Sequence, residues 1–80
     1  MTVNVDELRE LFADILDIDR IFYDPQKDIG QNFRALGADS MLKLETLAEV
    51  ERKYRIALSE EEYDSFTLEC LAQYINNQRG

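Results

Sequence analysis

The sequence predicts an all-α fold: a four-helix bundle of three main helices and one short helix, with a long structured loop between the first two. Three segments place apolar residues at helical spacing, at residues 5–18, 40–54 and 67–77. No segment alternates apolar and polar residues, and the 80 residues include only three glycines and one proline. Because strand turns depend on those two residue types, we expect no sheet and a single domain spanning residues 1–80.

The first predicted helix covers residues 5–18. Asn4 is a suitable N-cap, and Glu7 follows three residues later, as in a capping box. The apolar stripe of this helix has i, i+3, i+7 and i+10 spacing and consists of Val5, Leu8, Phe12 and Ile15.

Residues 19–38 form a connection that is longer than most loops of compact domains. It contains Pro25 and two of the three glycines. It also contains apolar residues that can bury against the core, namely Ile21, Phe22, Ile29, Phe33 and Leu36. We therefore interpret it as a structured loop, with a short helical turn near Phe33.

The second main helix is predicted at residues 40–54, with Asp39 as its N-cap. Helical spacing predicts an inward face of Leu44, Leu47, Val50 and Tyr54. The outer face is then predicted to carry Leu42, Glu45, Thr46 and Glu49.

Two more helices are predicted after a short connection. Ser59 and Glu62 form an S-x-x-E capping box, which predicts a short helix at residues 60–64. A last helix is predicted at residues 67–77, with Thr67 as its cap. Its buried stripe is predicted to consist of Leu68, Leu71, Ala72 and Ile75.

The composition restricts the partners and the compartment. Seventeen acids against nine bases give a net charge of −8, which argues against nucleic-acid binding and favours basic partners. No stretch is apolar enough to cross a bilayer, and the first residues lack the features of a signal peptide. The single cysteine, Cys70, excludes an internal disulfide and fits a reducing compartment. We expect a cytoplasmic monomer that binds no membrane.

Most catalytic and metal-binding arrangements are absent from the sequence. Without histidine there is no Ser-His-Asp or Cys-His arrangement, and one cysteine without histidine does not make a zinc site. Neither a G-x-x-x-x-G-K-[ST] loop nor a G-x-G-x-x-G turn is present. The acidic run at residues 14–24 misses the EF-hand spacing. We therefore expect no metal site, no catalytic residue and no enzymatic activity.

Ser40 is the remaining candidate for chemistry. A serine at the start of a helix is most often a cap, but Asp39 already suits that position and leaves the Ser40 hydroxyl available. The N–H groups and the dipole at a helix N-terminus stabilise negative charge, so a phosphodiester on Ser40 would lie in a favourable field. The activating chemistry would have to come from another protein.

The run LGADSM at residues 36–41 resembles the G-x-D-S-[LM] signature of acyl carrier proteins and peptidyl carrier proteins. The resemblance covers nearly the whole chain. Similar features are Phe33-x-x-Leu36 before the serine, Glu45 after it, the Glu51…Tyr54-x-Ile56 helix end, the acidic short helix and the Thr67-Leu68 start. In that family the serine receives 4′-phosphopantetheine from coenzyme A, and the terminal thiol carries an acyl group as a thioester.

The resemblance implies a role for each matching position. Ser40 would receive the arm from a phosphopantetheinyl transferase, and Asp39 would cap the helix and help to position the transferase's metal and substrate. Gly37 would shape the turn, and Met41 would guide partner docking or the base of the arm. The helix that follows would be recognised by partners through Leu42, Lys43, Glu45, Thr46 and Glu49.

The charge of this helix favours one branch of the family. Residues 40–54 contain three acids and three bases, whereas the same helix of typical fatty-acid carriers is strongly acidic. The sequence therefore favours a carrier of a polyketide or related specialised-metabolite pathway, such as antibiotic biosynthesis, which could be freestanding. Its partners would be an acyltransferase, a ketosynthase or an adenylating enzyme. The alternatives are a fatty-acid carrier, an aminoacyl or peptidyl carrier, a domain excised from a larger synthase, and a carrier-like interaction module that is never modified.

Overall fold

The computed structural model describes residues 2–17 and 23–79, and in these ranges the chain forms five helices and no strand. The helices are α1 (Val5–Leu16), α2 (Ile29–Ala35), α3 (Ser40–Tyr54), α4 (Glu60–Ser65) and α5 (Leu68–Arg79). The predicted all-α fold class is confirmed. Helices α1, α3 and α5 are the three main helices, and α4 is the short one.

Helix α1 begins as the sequence predicts. The Asn4 side-chain oxygen accepts a hydrogen bond from the Glu7 N–H at 2.9 Å, which satisfies one of the free donors of the first turn. Leu8 and Phe12 are buried on its inner face. The helix ends because Asp17 adopts a left-handed conformation with φ of 55°. Ile18, the last residue of the predicted helix, lies outside the described residues.

Helix α2 lies inside the predicted long loop and is a full helix of seven residues, not a single turn. Its N-cap is Asp28, whose carboxylate accepts from the Gln31 N–H at 2.7 Å. Ile29 and Phe33 are buried, as expected of residues that attach the loop to the core. The predicted contacts of Ile21 and Phe22 lie outside the described residues.

A buried amide, that of Asn32, holds the preceding turn against α2. Its oxygen accepts from the Asp24 N–H at 2.8 Å, and its nitrogen donates to the carbonyls of Asp24 and Asp28 at 2.9 and 3.0 Å. Asn32 is only 3% exposed, so these bonds are needed to compensate for the loss of water. A polar residue therefore anchors the loop beside the apolar residues that the sequence indicates.

The last two helices follow the predicted caps closely. The Ser59 hydroxyl accepts from the Glu62 N–H at 3.1 Å to start α4, which ends one residue later than predicted. The Thr67 hydroxyl accepts from the Cys70 N–H at 3.1 Å to start α5. The predicted stripe of α5 is buried, namely Leu68, Leu71, Ala72 and Ile75.

Phe12 lies at the centre of an aromatic cluster that joins three parts of the fold. Its ring centroid is 5.7 Å from that of Tyr23, 6.0 Å from that of Phe33 and 6.3 Å from that of Tyr63. Edge-to-face and tilted contacts at these distances add to the stabilisation from burial itself. Helix α2 thereby packs against α4 over the core and ends next to the start of α3.

The face of α3 that meets the core differs from the prediction. Leu44, predicted to face inward, is 41% exposed, while Leu42, predicted to face outward, is half-buried. Thr46, also predicted on the outer face, is completely buried. The reason is a hydroxyl pair: the Thr46 Oγ1 lies 2.7 Å from the Tyr63 hydroxyl on α4. The observed inner face is Thr46, Leu47, Val50 and Tyr54.

Candidate functional site

The turn before Ser40 is the end of α2. The Ala38 N–H donates to the Phe33 carbonyl at 3.0 Å and the Gly37 N–H donates to the Arg34 carbonyl at 3.1 Å. These two bonds form a Schellman motif, which requires a left-handed residue at the position of Gly37. Gly37 has a φ of 73°, a conformation that glycine adopts without steric cost. The glycine of the signature therefore ends one helix two residues before the cap of the next.

Asp39 caps α3, as the sequence predicts, and leaves the Ser40 side chain at the surface. One Asp39 carboxylate oxygen accepts from the Leu42 N–H at 2.9 Å. Ser40 is the first residue of α3 and is exposed. Its hydroxyl makes no side-chain hydrogen bond to the residues that the structure describes. The hydroxyl is thus accessible to another protein and does not have to break a bond to react.

A small cavity of about 130 Å³ opens beside Ser40, between α2 and α3. Its lining consists of Gly30, Phe33, Arg34, Ala38, Asp39, Ser40 and Lys43. Two of these residues are cationic, which suits a phosphate ester on the serine. The residues around Ser40 therefore fit a phosphodiester-linked group, because cationic side chains line the same cavity.

The outward face of α3 carries an apolar strip that begins directly after Ser40. Met41 is 69% exposed and Leu44 is 41% exposed. Together with Glu45 and Ala48 they line a shallow groove of about 270 Å³. A neighbouring groove of about 370 Å³ runs on along α3 and is lined by Ile15, Glu45, Ala48, Glu49 and Arg52. Met41 and Leu44 are thus the two large apolar side chains that the described residues leave exposed, and both lie on this face of α3.

The predicted site residues fall into three groups in the structure. The first group lies together at the surface around the start of α3 and consists of Gly37, Asp39, Ser40 and Met41. Glu45 and Glu49 border the grooves of the outward face. Leu42 and Lys43 are half-buried, and Thr46 lies in the core. The outward placement predicted for Thr46 is wrong, because its hydroxyl is bonded inside the protein.

Four residues of this region have no part in the site that the sequence predicts. Leu44 and Ala48 line the outward groove, and Arg34 lines the cavity beside Ser40. Asp64 on α4 forms an ion pair with Lys43, with 2.7 Å between the Lys43 Nζ and the Asp64 Oδ1. The i, i+3, i+7 spacing of Met41, Leu44 and Ala48 is a sequence signal for one helix face, but helical spacing alone does not tell which face is exposed.

Comparison with protein families places the chain. A family model described as a phosphopantetheine attachment site matches residues 6–75. The chain belongs to this carrier family. A search of curated proteins and a search of solved structures found no match. In this family 4′-phosphopantetheine is attached covalently to a serine, so the resemblance to acyl and peptidyl carrier proteins is confirmed.

Membership of the carrier family sets the general function. Carrier domains are in general non-catalytic, and they interact with phosphopantetheinyl transferases and with the enzymes of their pathway. In the described part of this carrier domain, no group of three or more carboxylate or cysteine side chains is arranged to hold a metal ion. No helix there is long and apolar enough to cross a membrane.

Proposed function

We propose that Ser40 carries the 4′-phosphopantetheine arm and that the chain holds acyl or aminoacyl intermediates on it as thioesters. The observation that carries this proposal is the state of the Ser40 hydroxyl, which is exposed and has no side-chain hydrogen bond within the described residues. The chain would catalyse no step of its own. Residues 1–80 would act as one carrier domain in the cytoplasm, where coenzyme A is the donor of the arm.

The other two serines of the chain are poorer candidates. Ser59 is the N-cap of α4: it accepts from the Glu62 N–H at 3.1 Å and donates to the Glu62 carboxylate at 3.0 Å. Ser65 also follows an aspartate, but its hydroxyl donates to the Glu62 carbonyl at 3.0 Å. Modification of either hydroxyl would break bonds of α4, whereas modification of Ser40 breaks none.

The outward face of α3 is the surface on which we expect partner enzymes to dock, beside the arm. Met41 follows Ser40 directly, and Leu44 continues the same apolar strip. Glu45 lies within the strip, and the exposed ion pair of Glu49 with Arg52, at 2.6 Å, lies further along α3. A partner that buries this surface would contact apolar groups near the serine and charges of both signs farther away.

The mixed charge of α3 favours a carrier of the polyketide or a related specialised-metabolite type. Partners that recognise an acidic helix do so with a basic surface, and electrostatic attraction mainly raises the rate of encounter. Here the three acids of α3 are balanced by three bases, so a strongly basic partner gains little from this helix. We expect partners with an apolar docking surface. A fatty-acid carrier and an aminoacyl carrier are the alternatives.

Loading of the apo protein tests the attachment site. The protein is incubated with coenzyme A and a broad-specificity phosphopantetheinyl transferase, and the intact mass is measured. We expect a mass gain of one phosphopantetheine group in the wild type and none in Ser40→Ala. Ser65→Ala is the matched control, since it also removes a serine after an aspartate, and it should load normally. Absence of any gain in the wild type would instead favour the unmodified interaction module.

Acylation of the holo protein tests the pathway. Three representative enzymes compete for the same holo preparation: a polyketide-type malonyl transferase, a fatty-acid-type malonyl transferase and an adenylating enzyme. We expect the highest kcat/KM with the polyketide-type enzyme. A preference for the fatty-acid-type enzyme or for the adenylating enzyme would assign the carrier to that pathway instead.

A further inference from the structure

The cavity beside Ser40 has a cationic side chain on each side. Arg34 comes from the last turn of α2, and Lys43 comes from the first turn of α3. Both residues and Ser40 line the same space of about 130 Å³. A group attached to Ser40 therefore lies beside two cationic side chains, and the carboxylate of Asp39 lines the same cavity.

Lys43 is held in place by an ion pair with Asp64 on α4. Its side chain is only 16% exposed, and its Nζ lies 2.7 Å from the Asp64 Oδ1. Gly30 makes this arrangement possible, because a Cβ at residue 30 would clash with the same carboxylate oxygen. The charge of Lys43 is thus largely neutralised by Asp64, and its ammonium group is a fixed part of the cavity wall.

Unlike Lys43, Arg34 is exposed and has no acidic partner among the described residues. Its guanidinium has five N–H donors in a planar array that matches the oxygens of a phosphate. Around the cavity, the charges of Arg34 and Lys43 balance those of Asp39 and Asp64. A phosphodiester on Ser40 adds one negative charge close to Asp39, and Arg34 is the residue available to offset that repulsion.

We propose that Arg34 binds the phosphodiester of the 4′-phosphopantetheine arm and that the pair of Lys43 with Asp64 forms the back wall of this subsite. The base of the arm then lies over the cavity between α2 and α3. The apolar strip that begins at Met41 stays open for partner enzymes. This inference rests on the proposed attachment of the arm to Ser40.

A purely structural role for Arg34 makes a different prediction. A cation in the last turn of α2 also stabilises the helix dipole, and that effect is present whether or not the arm is attached. Binding of the phosphodiester stabilises only the loaded form. The quantity that separates the two roles is therefore the difference in melting temperature between the holo and apo forms of one variant.

The experiment compares the wild type, Arg34→Gln and the matched control Arg52→Gln, each in apo and holo form. Arg52 is an exposed arginine that lies twelve residues after Ser40 in α3. That separation is about 18 Å along the helix, beyond the screening length of about 10 Å in 0.1 M salt. Intact mass first establishes that all three proteins carry the arm, and thermal unfolding and ³¹P NMR then follow.

We expect the gain in melting temperature on loading to be smaller in Arg34→Gln than in the wild type by about 1–5 °C. The ³¹P chemical shift of holo Arg34→Gln should also move toward that of the holo protein unfolded in urea. Arg52→Gln should match the wild type in both measurements, and added salt should reduce the difference between the wild type and Arg34→Gln.

Two failures can be distinguished. If the wild type gains no mass on Ser40, the attachment itself fails, and this inference is overturned together with the proposed function. If all three proteins load but Arg34→Gln matches Arg52→Gln in melting shift and ³¹P shift, only the phosphodiester subsite is overturned and the carrier function stands.

Discussion

The hydroxyl oxygens of Thr46 and Tyr63 lie 2.7 Å apart in the core and set the rotation of α3 about its axis. Thr46 also donates to the Lys43 carbonyl at 2.7 Å, and it has only one hydroxyl hydrogen. Tyr63 is therefore the donor in the pair and Thr46 is the acceptor. Because this bond brings Thr46 inward, Leu44 is turned toward solvent, on the side of Met41.

Replacing Thr46 by valine keeps the shape of the side chain and removes the acceptor for Tyr63. We expect the free energy of unfolding to fall by about 1–3 kcal/mol, because a buried hydroxyl donor is left unpaired. Urea unfolding of Thr46→Val, Tyr63→Phe and the double variant measures the coupling. The double variant should recover part of the loss. Thr46→Ser is the control that keeps the hydroxyl, and a loss as large as that of Thr46→Val would contradict the assignment.

Substitution by aspartate is predicted to affect partner turnover at Leu44 and stability at Leu42. Leu44→Asp places a charge on the exposed strip, so the melting temperature should change little while kcat/KM with the cognate partner falls by about tenfold. Leu42→Asp places a charge at a half-buried position, so the melting temperature should fall. Thermal unfolding and partner turnover of the two holo variants check this. Equal partner turnover in Leu44→Asp and the wild type would remove the strip from the docking surface.

Stability is predicted to fall in alkaline solution because burial raises the pKa of the Tyr23 and Tyr63 phenols. Burial is the main cause that raises the pKa of Tyr23 and of Tyr63 far above the ordinary value of 10.0. For Tyr23, the neighbouring Tyr63 and Asp28 raise the pKa further. Below pH 10 both phenols are protonated in the folded and in the unfolded state, so their ionisation takes nothing from the free energy of unfolding. Above pH 10 only the unfolded state ionises, and each tyrosine then lowers the free energy of unfolding by about 1.4 kcal/mol per pH unit.

Tyr23→Phe tests this pH dependence and also the environment of the hydroxyl. The Tyr23 hydroxyl lies close to the Asn32 side chain, but it makes no hydrogen bond of normal geometry with the described residues. At pH 7 the variant should therefore be as stable as the wild type or more so. Urea unfolding between pH 9 and about pH 11.5 should show roughly half the wild-type slope if the two tyrosines account for it. An unchanged slope would mean that Tyr23 does not contribute.

The close approach of Gly30 to Asp64 predicts a coupling between the two positions. In the wild type, Gly30→Ala forces the Asp64 carboxylate away and weakens its ion pair with Lys43. In an Asp64→Ala background that obstacle is absent, and alanine should stabilise α2 by about 0.5–1 kcal/mol through helix propensity. The free energies of unfolding of the four proteins give the coupling directly. The effect of Gly30→Ala should be clearly more favourable in the Asp64→Ala background, and equal effects in both would contradict the close contact.

The ends of the helices could be predicted from the sequence because each depends on residues close by in the chain. Asp39 caps α3 through a bond to Leu42, three residues away, and the predicted bounds of α3 match the structure. Helix α2 has comparable signals: Asp28 with Gln31 at its start and Gly37 just after its end. If Asp28 and Gln31 are taken as a capping box, the predicted helical turn near Phe33 extends to the observed helix.

The inner face of α3 could not be predicted in the same way, because it depends on contacts between distant segments. Thr46 is polar, and its burial requires the Tyr63 hydroxyl seventeen residues later in the chain. Leu44 is apolar, so hydropathy places it inside. The ion pair of Lys43 with Asp64 spans twenty-one residues and has no local signal. The serine that we propose as the attachment site and its cap were thus recognisable from the sequence, whereas Arg34 and the exposed strip needed the packed helices.

Gly37 is constrained by handedness and not by size. No atom lies within 4 Å of the place where its Cβ would be, yet its φ of 73° belongs to the left-handed region. Asparagine tolerates this region better than other residues with a side chain, whereas valine does not. A larger residue at this position therefore meets no neighbour and is rejected only by its own backbone. The φ angle of Gly37, three residues before Ser40, therefore helps to set how Ser40 is oriented relative to the cavity.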